Sequence, residues 1–160
     1  MNSEGVQQEE EMTTFSALYY HLIWSTKNRE KMILEIDEQH LHKYIVATIK
    51  NLQGNVININ GMSDHIHILL GTRPIINIPD LVKNIKISST KMMRQRRPNL
   101  NKFEWQDSYG IFSVSKSLTN DVSDYIANQK NHHQNWSFEN ELLTFLKLHE
   151  IDYDDKYVFG

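Results

Sequence analysis

The chain has 160 residues, room for one domain with a sizeable core and little more. Hydrophobic residues at 39% and charged residues at 23% are the proportions of a folded, water-soluble chain and exclude a fibrous or low-complexity polymer. The absence of cysteine excludes disulfides and thiolate metal centres, and a formal net charge of −3 argues weakly against a nucleic-acid binder.

Residues 1–14 are polar and acidic, with Glu4, Glu9, Glu10 and Glu11, and read as a disordered lead-in. They lack the basic start and apolar centre of a signal peptide, and no apolar run reaches the roughly 20 residues that span a bilayer. The expectation is a cytoplasmic protein with no membrane partner. A single domain is expected over 15–150, followed by an acidic tail over 151–160.

Phe15 to Thr26, rich in aromatic and β-branched residues, reads as a buried strand. Asp37 to Gln53 carries Leu41, Tyr44, Ile45, Thr48, Ile49 and Leu52 at helical spacing, and Gly54 ends it. Asn55 to Asn60 alternates Val56, Ile57 and Ile59 with asparagines as a second strand. Gly61-Met62-Ser63-Asp64 is turn chemistry, and His65 to Gly71 is a third strand. Pro79 suits the first turn of a helix reaching about Arg97, which Pro98 stops. A loop with Phe103, Trp105 and Tyr109 leads to a fourth strand over Ile111 to Ser115. A helix over about Thr119 to His132 and a shorter one over Phe138 to His149 complete the chain. The order β-α-β-β-α-β followed by helices predicts an α+β fold with a ferredoxin-like antiparallel sheet, shared with RNA-recognition domains. That layout alone does not fix function.

The charge is unevenly spread. Lys83, Lys86, Lys91, Arg94, Arg96 and Arg97 fall together with no acid among them, whereas Glu139, Glu141, Glu150, Asp152, Asp154 and Asp155 collect near the C-terminal end. The basic run reads equally as a solvated helix face or as a phosphate-binding strip.

Two constellations carry chemistry. His65 and His67 alternate with Ile66 and Ile68, so both imidazoles point to one face of a strand, where they could hold one divalent cation. The plainer reading is a pair of half-buried histidines, and a third ligand is needed to choose. Tyr125 and Gln129 are four residues apart, stacked on one helical face about 6 Å apart along the axis. Gln129 has a carbonyl oxygen to offer a cation beside the Tyr125 hydroxyl, although, taken alone, the pair is better explained by an ordinary amphipathic helix with the tyrosine half in the core. Of the seven tyrosines, Tyr19 and Tyr20 lie in the first strand, Tyr44 on an apolar stripe, and Tyr153 and Tyr157 in the acidic tail. Tyr109 and Tyr125 remain, and only Tyr125 has a metal-capable side chain one helical turn away.

Tyr20 to Lys27 (YHLIWSTK), Met62 to Leu69 (MSDHIHIL) and Tyr125 with Gln129 together resemble the HUH single-tyrosine transposases of small insertion sequences, the IS-two-hundred-like family. The resemblance runs in order from about Leu18 to Gln129. Ser63 departs from it, since proline is usual there. The resemblance implies that His65, His67 and Gln129 hold Mg²⁺ or Mn²⁺, and that Tyr125 attacks a DNA phosphate to leave a 5′-phosphotyrosine. It further implies single-stranded DNA with hairpin ends as substrate, a homodimer, and in many members a tyrosine helix that completes the partner's site. Lys83, Lys86, Lys91, Arg94, Arg96 and Arg97 would then contact phosphates. Trp105 and Tyr109 would stack on unpaired bases, unless they pack in the loop. His132 and His133 lie near enough to the same face to be substitute ligands or DNA contacts, or simply complement a helix end. His21 reads most simply as a buried strand histidine. Two other functions compete: a domesticated, non-catalytic nucleic-acid-binding module on the same fold, and a metal-dependent phosphodiesterase in which water attacks.

Overall fold

The computed structural model describes residues 14–99 and 102–160. The lead-in expected over 1–14 therefore falls almost wholly outside the described residues. Four strands, β1 (Leu18–Ser25), β2 (Asn55–Met62), β3 (His65–Thr72) and β4 (Gly110–Val114), form one sheet in the order β2-β3-β1-β4. All three pairings are antiparallel. Between them run α1 (Glu35–Asn51) and α2 (Ile78–Arg96), and after β4 come α3 (Thr119–Ala127), α4 (Gln129–His132) and α5 (Phe138–Leu148). This is the expected ferredoxin-like arrangement, with additional helices on the second face of the sheet.

Side chains that alternate across β1 and β3 feed two different layers. Leu22, Trp24, Ile66, Ile68 and Leu70 join Leu41, Ile45 and Ile49 of α1 and Leu81, Val82 and Ile85 of α2 in the larger apolar core. On the other face, Ile23 and Phe112 pack against Phe138, Leu142 and Leu146 of α5. The central strands are thus buried on both sides, which explains their nearly continuous apolar sequence.

Local signals set the boundaries. Asn77 caps α2 by accepting from the Asp80 backbone N–H at 3.1 Å, and Ser137 caps α5 by accepting from that of Asn140 at 3.2 Å. At the end of α1 the left-handed residue is Gln53, with φ 69°, while no described glycine has positive φ. Gly54 is instead required for packing, because a Cβ there would lie 2.6 Å from Ile49 Cγ2. β2 extends through Gly61 and Met62, leaving Ser63-Asp64 as the hairpin connection. A Cβ on Gly61 would meet the His65 carbonyl oxygen at 2.2 Å, so the hairpin closes only because that residue has none.

The helix expected over Thr119 to His132 breaks at Asn128 (φ −93°, ψ 14°). The Asn128 side-chain amide donates to the Asp124 carbonyl at 2.9 Å, a local bond that competes with the helical ladder. The acidic segment 151–160 turns back on the domain: Val158 and Phe159 pack on the α5 cluster, and the Gly160 carbonyl accepts from the Ser108 N–H at 3.0 Å.

Candidate active site

On β3, His65 lies opposite Ser25 and His67 opposite Ile23 of β1, both on the face covered by α3, α4 and α5. Each imidazole is fully buried and is oriented from behind by a bond at Nδ1. His65 Nδ1 donates to Asp64 Oδ1 at 2.6 Å, and His67 Nδ1 lies 2.7 Å from His21 Nε2. Both rings therefore turn Nε2 toward one point, the arrangement in which an outer hydrogen bond fixes a ligand's tautomer and direction.

Three helices converge there. Gln129, the first residue of α4, brings its Oε1 to 2.9 Å from His65 Nε2. Glu141 of α5, also fully buried, brings Oε1 to 2.8 Å from His67 Nε2, 3.6 Å from His65 Nε2 and 3.0 Å from His133 Nε2. Its Oε2 accepts from Gln129 Nε2 at 3.0 Å and from the Tyr125 hydroxyl in a very short hydrogen bond. Tyr125 packs over His132, with ring centroids 4.7 Å apart, and lies 5.9 Å from the His67 ring.

The electrostatics follow from burial and these contacts. Burial lowers the pKa of His67 to about 4, against the pull of Glu141, and lowers that of His21 to about 3 with the help of His67. Burial alone would raise the Glu141 carboxyl, but the His133 and His67 imidazoles and the Gln129 amide beside it hold it well below the usual carboxylate range. Burial, and then the Glu141 carboxylate, push the Tyr125 phenol far above its ordinary value. As folded, Tyr125 is a protonated donor to a carboxylate, and it becomes a nucleophile only if positive charge is placed beside it.

The donor set fits a divalent cation. One ligand atom from each of His65, His67, His133 and Glu141 lies within 4.8 Å of all the others. His133 Nε2 is buried and faces the Glu141 carboxylate without hydrogen-bond geometry, a polar atom lacking the partner that a cation would supply. Imidazoles bind divalent transition metals, and the carboxylate and amide carbonyl add the oxygen donors that Mg²⁺ and Mn²⁺ take.

The structure brings together Tyr125, His65, His67 and Gln129, and sets the basic residues apart on the α2 side. Arg96 Nε and Arg97 Nε bind the buried Asp37 carboxylate at 2.5 and 3.0 Å, tying α1 to the end of α2. Arg94 Nε donates to the Phe103 carbonyl at 2.9 Å. The Lys86 ammonium, its pKa lowered to about 8 by burial, donates to the carbonyls of Gln106, Asp107 and Ser108. Lys83 and Lys91 are exposed on a groove of about 940 Å³ between α2 and the 104–109 loop. Trp105 is buried, with its indole N–H donating to Ser89 Oγ at 2.9 Å and its ring edge-on to Trp24 and Phe103. It presents no free face for a base, because the apolar core has claimed the ring.

Sequence reasoning passed over Glu141, grouping it with the acids of the tail. A signal was available: Glu141 stands among Phe138, Leu142 and Leu146 on the apolar face of α5, where a lone carboxylate needs a partner. His133, open in sequence between substitute ligand, DNA contact and helix-end complement, stands in the donor cluster.

The profile of the IS200-like transposases matches residues 14–129. The chain belongs to that family. Over 118 residues it is 35% identical to the ISDra2 transposase TnpA of Deinococcus radiodurans, covering 70% of this chain and 84% of that one. A crystal structure of a Deinococcus radiodurans protein described as a transposase superposes with a TM-score of 0.58 at 29% identity, covering 72% of this chain and 93% of that one. The structure of a REP-associated tyrosine transposase bound to a REP hairpin matches with a TM-score of 0.56 over 77% of this chain and 75% of that one. At 14% identity that likeness shows the fold alone. His133, Glu141 and the whole of α5 lie beyond the stretch that the family profile matches.

Proposed function

We propose that this transposase cuts and rejoins single-stranded DNA at hairpin-bearing element ends, with Tyr125 as nucleophile and a Mg²⁺ or Mn²⁺ ion held by His65, His67 and Gln129. The observation that carries the reading is the convergence of the Tyr125 hydroxyl, Gln129 Oε1 and two preset imidazole Nε2 atoms on one buried point. The Tyr125 oxygen attacks phosphorus, its bond to phosphorus forms, and the bond from phosphorus to the 3′ oxygen breaks. The phenol proton is lost to the surroundings, the departing 3′ oxygen takes up a proton, and a 5′-phosphotyrosine remains. Attack by the free 3′-hydroxyl of a second strand reverses the same balance, so no water is consumed. When bound, the cation supplies positive charge that favours the phenolate and neutralises the scissile phosphate. Asp64 and His21 hold the ligand rings in position, and Lys83, Lys91 and Arg94 along the α2 groove contact phosphates of the same DNA.

Tyr125, His65, His67 and Gln129 meet within one chain, an arrangement that allows the tyrosine to act in its own protomer. The expectation of a homodimer is checked separately by analytical sedimentation. The deciding experiment incubates the protein and Mn²⁺ with a hairpin oligonucleotide from its element's ends. A denaturant-stable protein–DNA adduct that vanishes in Tyr125→Phe is expected. Cleavage that survives in Tyr125→Phe points to attack by water, and binding without cleavage points to a non-catalytic module.

A further inference from the structure

Outside the family-matched stretch, α5 places one carboxylate where it costs most. Glu141 is fully buried, and its neighbours on the inner face of α5, Phe138, Leu142 and Leu146, are apolar. A buried charge in such a face is kept only if strongly compensated. The compensation is divided between its two oxygens. Oε1 faces the Nε2 atoms of His67, His133 and His65 at 2.8, 3.0 and 3.6 Å, while Oε2 binds the Tyr125 hydroxyl and Gln129 Nε2. One oxygen thus stands in the donor cluster and the other on the nucleophile.

We propose that Glu141 is a ligand of the active-site cation through Oε1 and a positioning residue for Tyr125 through Oε2, so that metal binding and the docking of α5 are a single event. The inference rests on the metal-assisted reading above. Deprotonated, Glu141 adds a negative donor to a set otherwise made of neutral imidazoles and an amide, which raises its affinity for a divalent cation. The second oxygen then fixes the tyrosine at the edge of that set. A helix beyond the matched stretch becomes part of the catalytic machinery, held down by the metal it helps to bind.

The test uses the metal-free full chain, with Mn²⁺ added and its free-ion electron paramagnetic resonance signal followed. Wild-type protein is expected to take up one equivalent, and Glu141→Gln to bind at least about tenfold more weakly. Glu139→Gln, two residues earlier on α5 and paired with Arg29 Nε at 2.7 Å instead of with the donor cluster, is expected to bind like wild type. Equal affinity in Glu141→Gln and wild type overturns the inference, as does tighter binding, which marks the carboxylate as an obstacle to the metal. If Glu141→Gln does not fold, amide exchange in wild-type α5 decides: Mn²⁺ is expected to slow it at least about tenfold, and unchanged exchange overturns the inference. A Tyr125 adduct formed alongside unaltered Glu141→Gln affinity leaves the transposase reading standing. Wild-type protein with neither Mn²⁺ uptake nor adduct removes both.

Discussion

The two faces of the sheet are built from the same strands and have opposite chemistry. Toward α1 and α2, β1 and β3 present Leu22, Trp24, Ile66, Ile68 and Leu70, an apolar layer to which neither strand adds a histidine or carboxylate. Toward α3, α4 and α5 the intervening residues include His21, Ile23, His65, His67 and Leu69, and the covering segment adds Gln129, His133 and Glu141. The first face gains stability from buried apolar area, while the second holds buried polar groups that are costly unless every one is satisfied. A two-residue period thus lets one strand anchor the fold and aim the site, so an error in register would ruin both.

The contrast is broken most severely at His67. His67→Ala is expected to reduce Mn²⁺-dependent cleavage by about 10²–10³-fold or more, the loss typical of removing one electrostatic stabiliser. Its effect on the urea midpoint should be smaller than that of the neighbouring core change. Ile68→Ala, one residue along β3 and on the other face, is expected to cost about 2–5 kcal/mol of stability through the cavity it leaves. The folded fraction of Ile68→Ala should bind Mn²⁺ as wild type does. If Ile68→Ala abolished metal binding in folded protein, or His67→Ala cleaved normally, the division of labour between the faces would be wrong.

Titration sharpens the comparison, because only the polar face holds His21 and His67. Their folded pKa values, about 3 and about 4, lie below the unfolded value of 6.5, so the unfolded chain binds more protons between these limits. Stability of the metal-free protein should therefore fall as pH drops from about 6.5 to 5, by on the order of 1 kcal/mol per ring. His42, lowered by burial, adds the same sign. His133, whose pKa is raised, acts instead above 6.5, and the depressed carboxyls of Asp37 and Glu141 act below their ordinary range. Urea midpoints at pH 7.5, 6 and 5 measure the effect. A midpoint that held steady or rose on acidification would contradict the burial of neutral imidazoles, and His21→Phe should flatten the dependence.

The α2 face was the more legible of the two. Alternation in β3 and helical spacing at Leu41, Ile45 and Ile49 report burial directly, and these residues do line the core. The direction of His65 and His67 followed from the same alternation. What could not be read depended on contacts distant in sequence. Glu141 and Tyr125 are 16 residues apart and meet only because the chain breaks at Asn128 and turns before Ser137. An acid in a helix looks solvated until its helix is docked. Trp105 shows the converse, since an aromatic ring in a loop reads the same whether it faces bases or the core. The arginines ending α2 looked like free phosphate ligands because their partner, Asp37, lies on another helix.

That last distinction yields the smallest predicted effect. Arg96 and Arg97 are engaged with a buried carboxylate, so their removal should show in stability first. Lys83 and Lys91 are exposed on the α2 groove, remote from the cluster around His67. Replacing both with alanine should leave the urea midpoint within about 0.5 kcal/mol of wild type. Affinity for a hairpin oligonucleotide should weaken regardless of sequence, and the slope of log affinity against log salt should fall by about one per lysine lost. Adduct formation at saturating DNA should persist, because the proposed function gives the groove the holding of the strand and the opposite face the chemistry. An unchanged salt slope would move the DNA path off α2, and would leave the polar face to account for binding as well as chemistry.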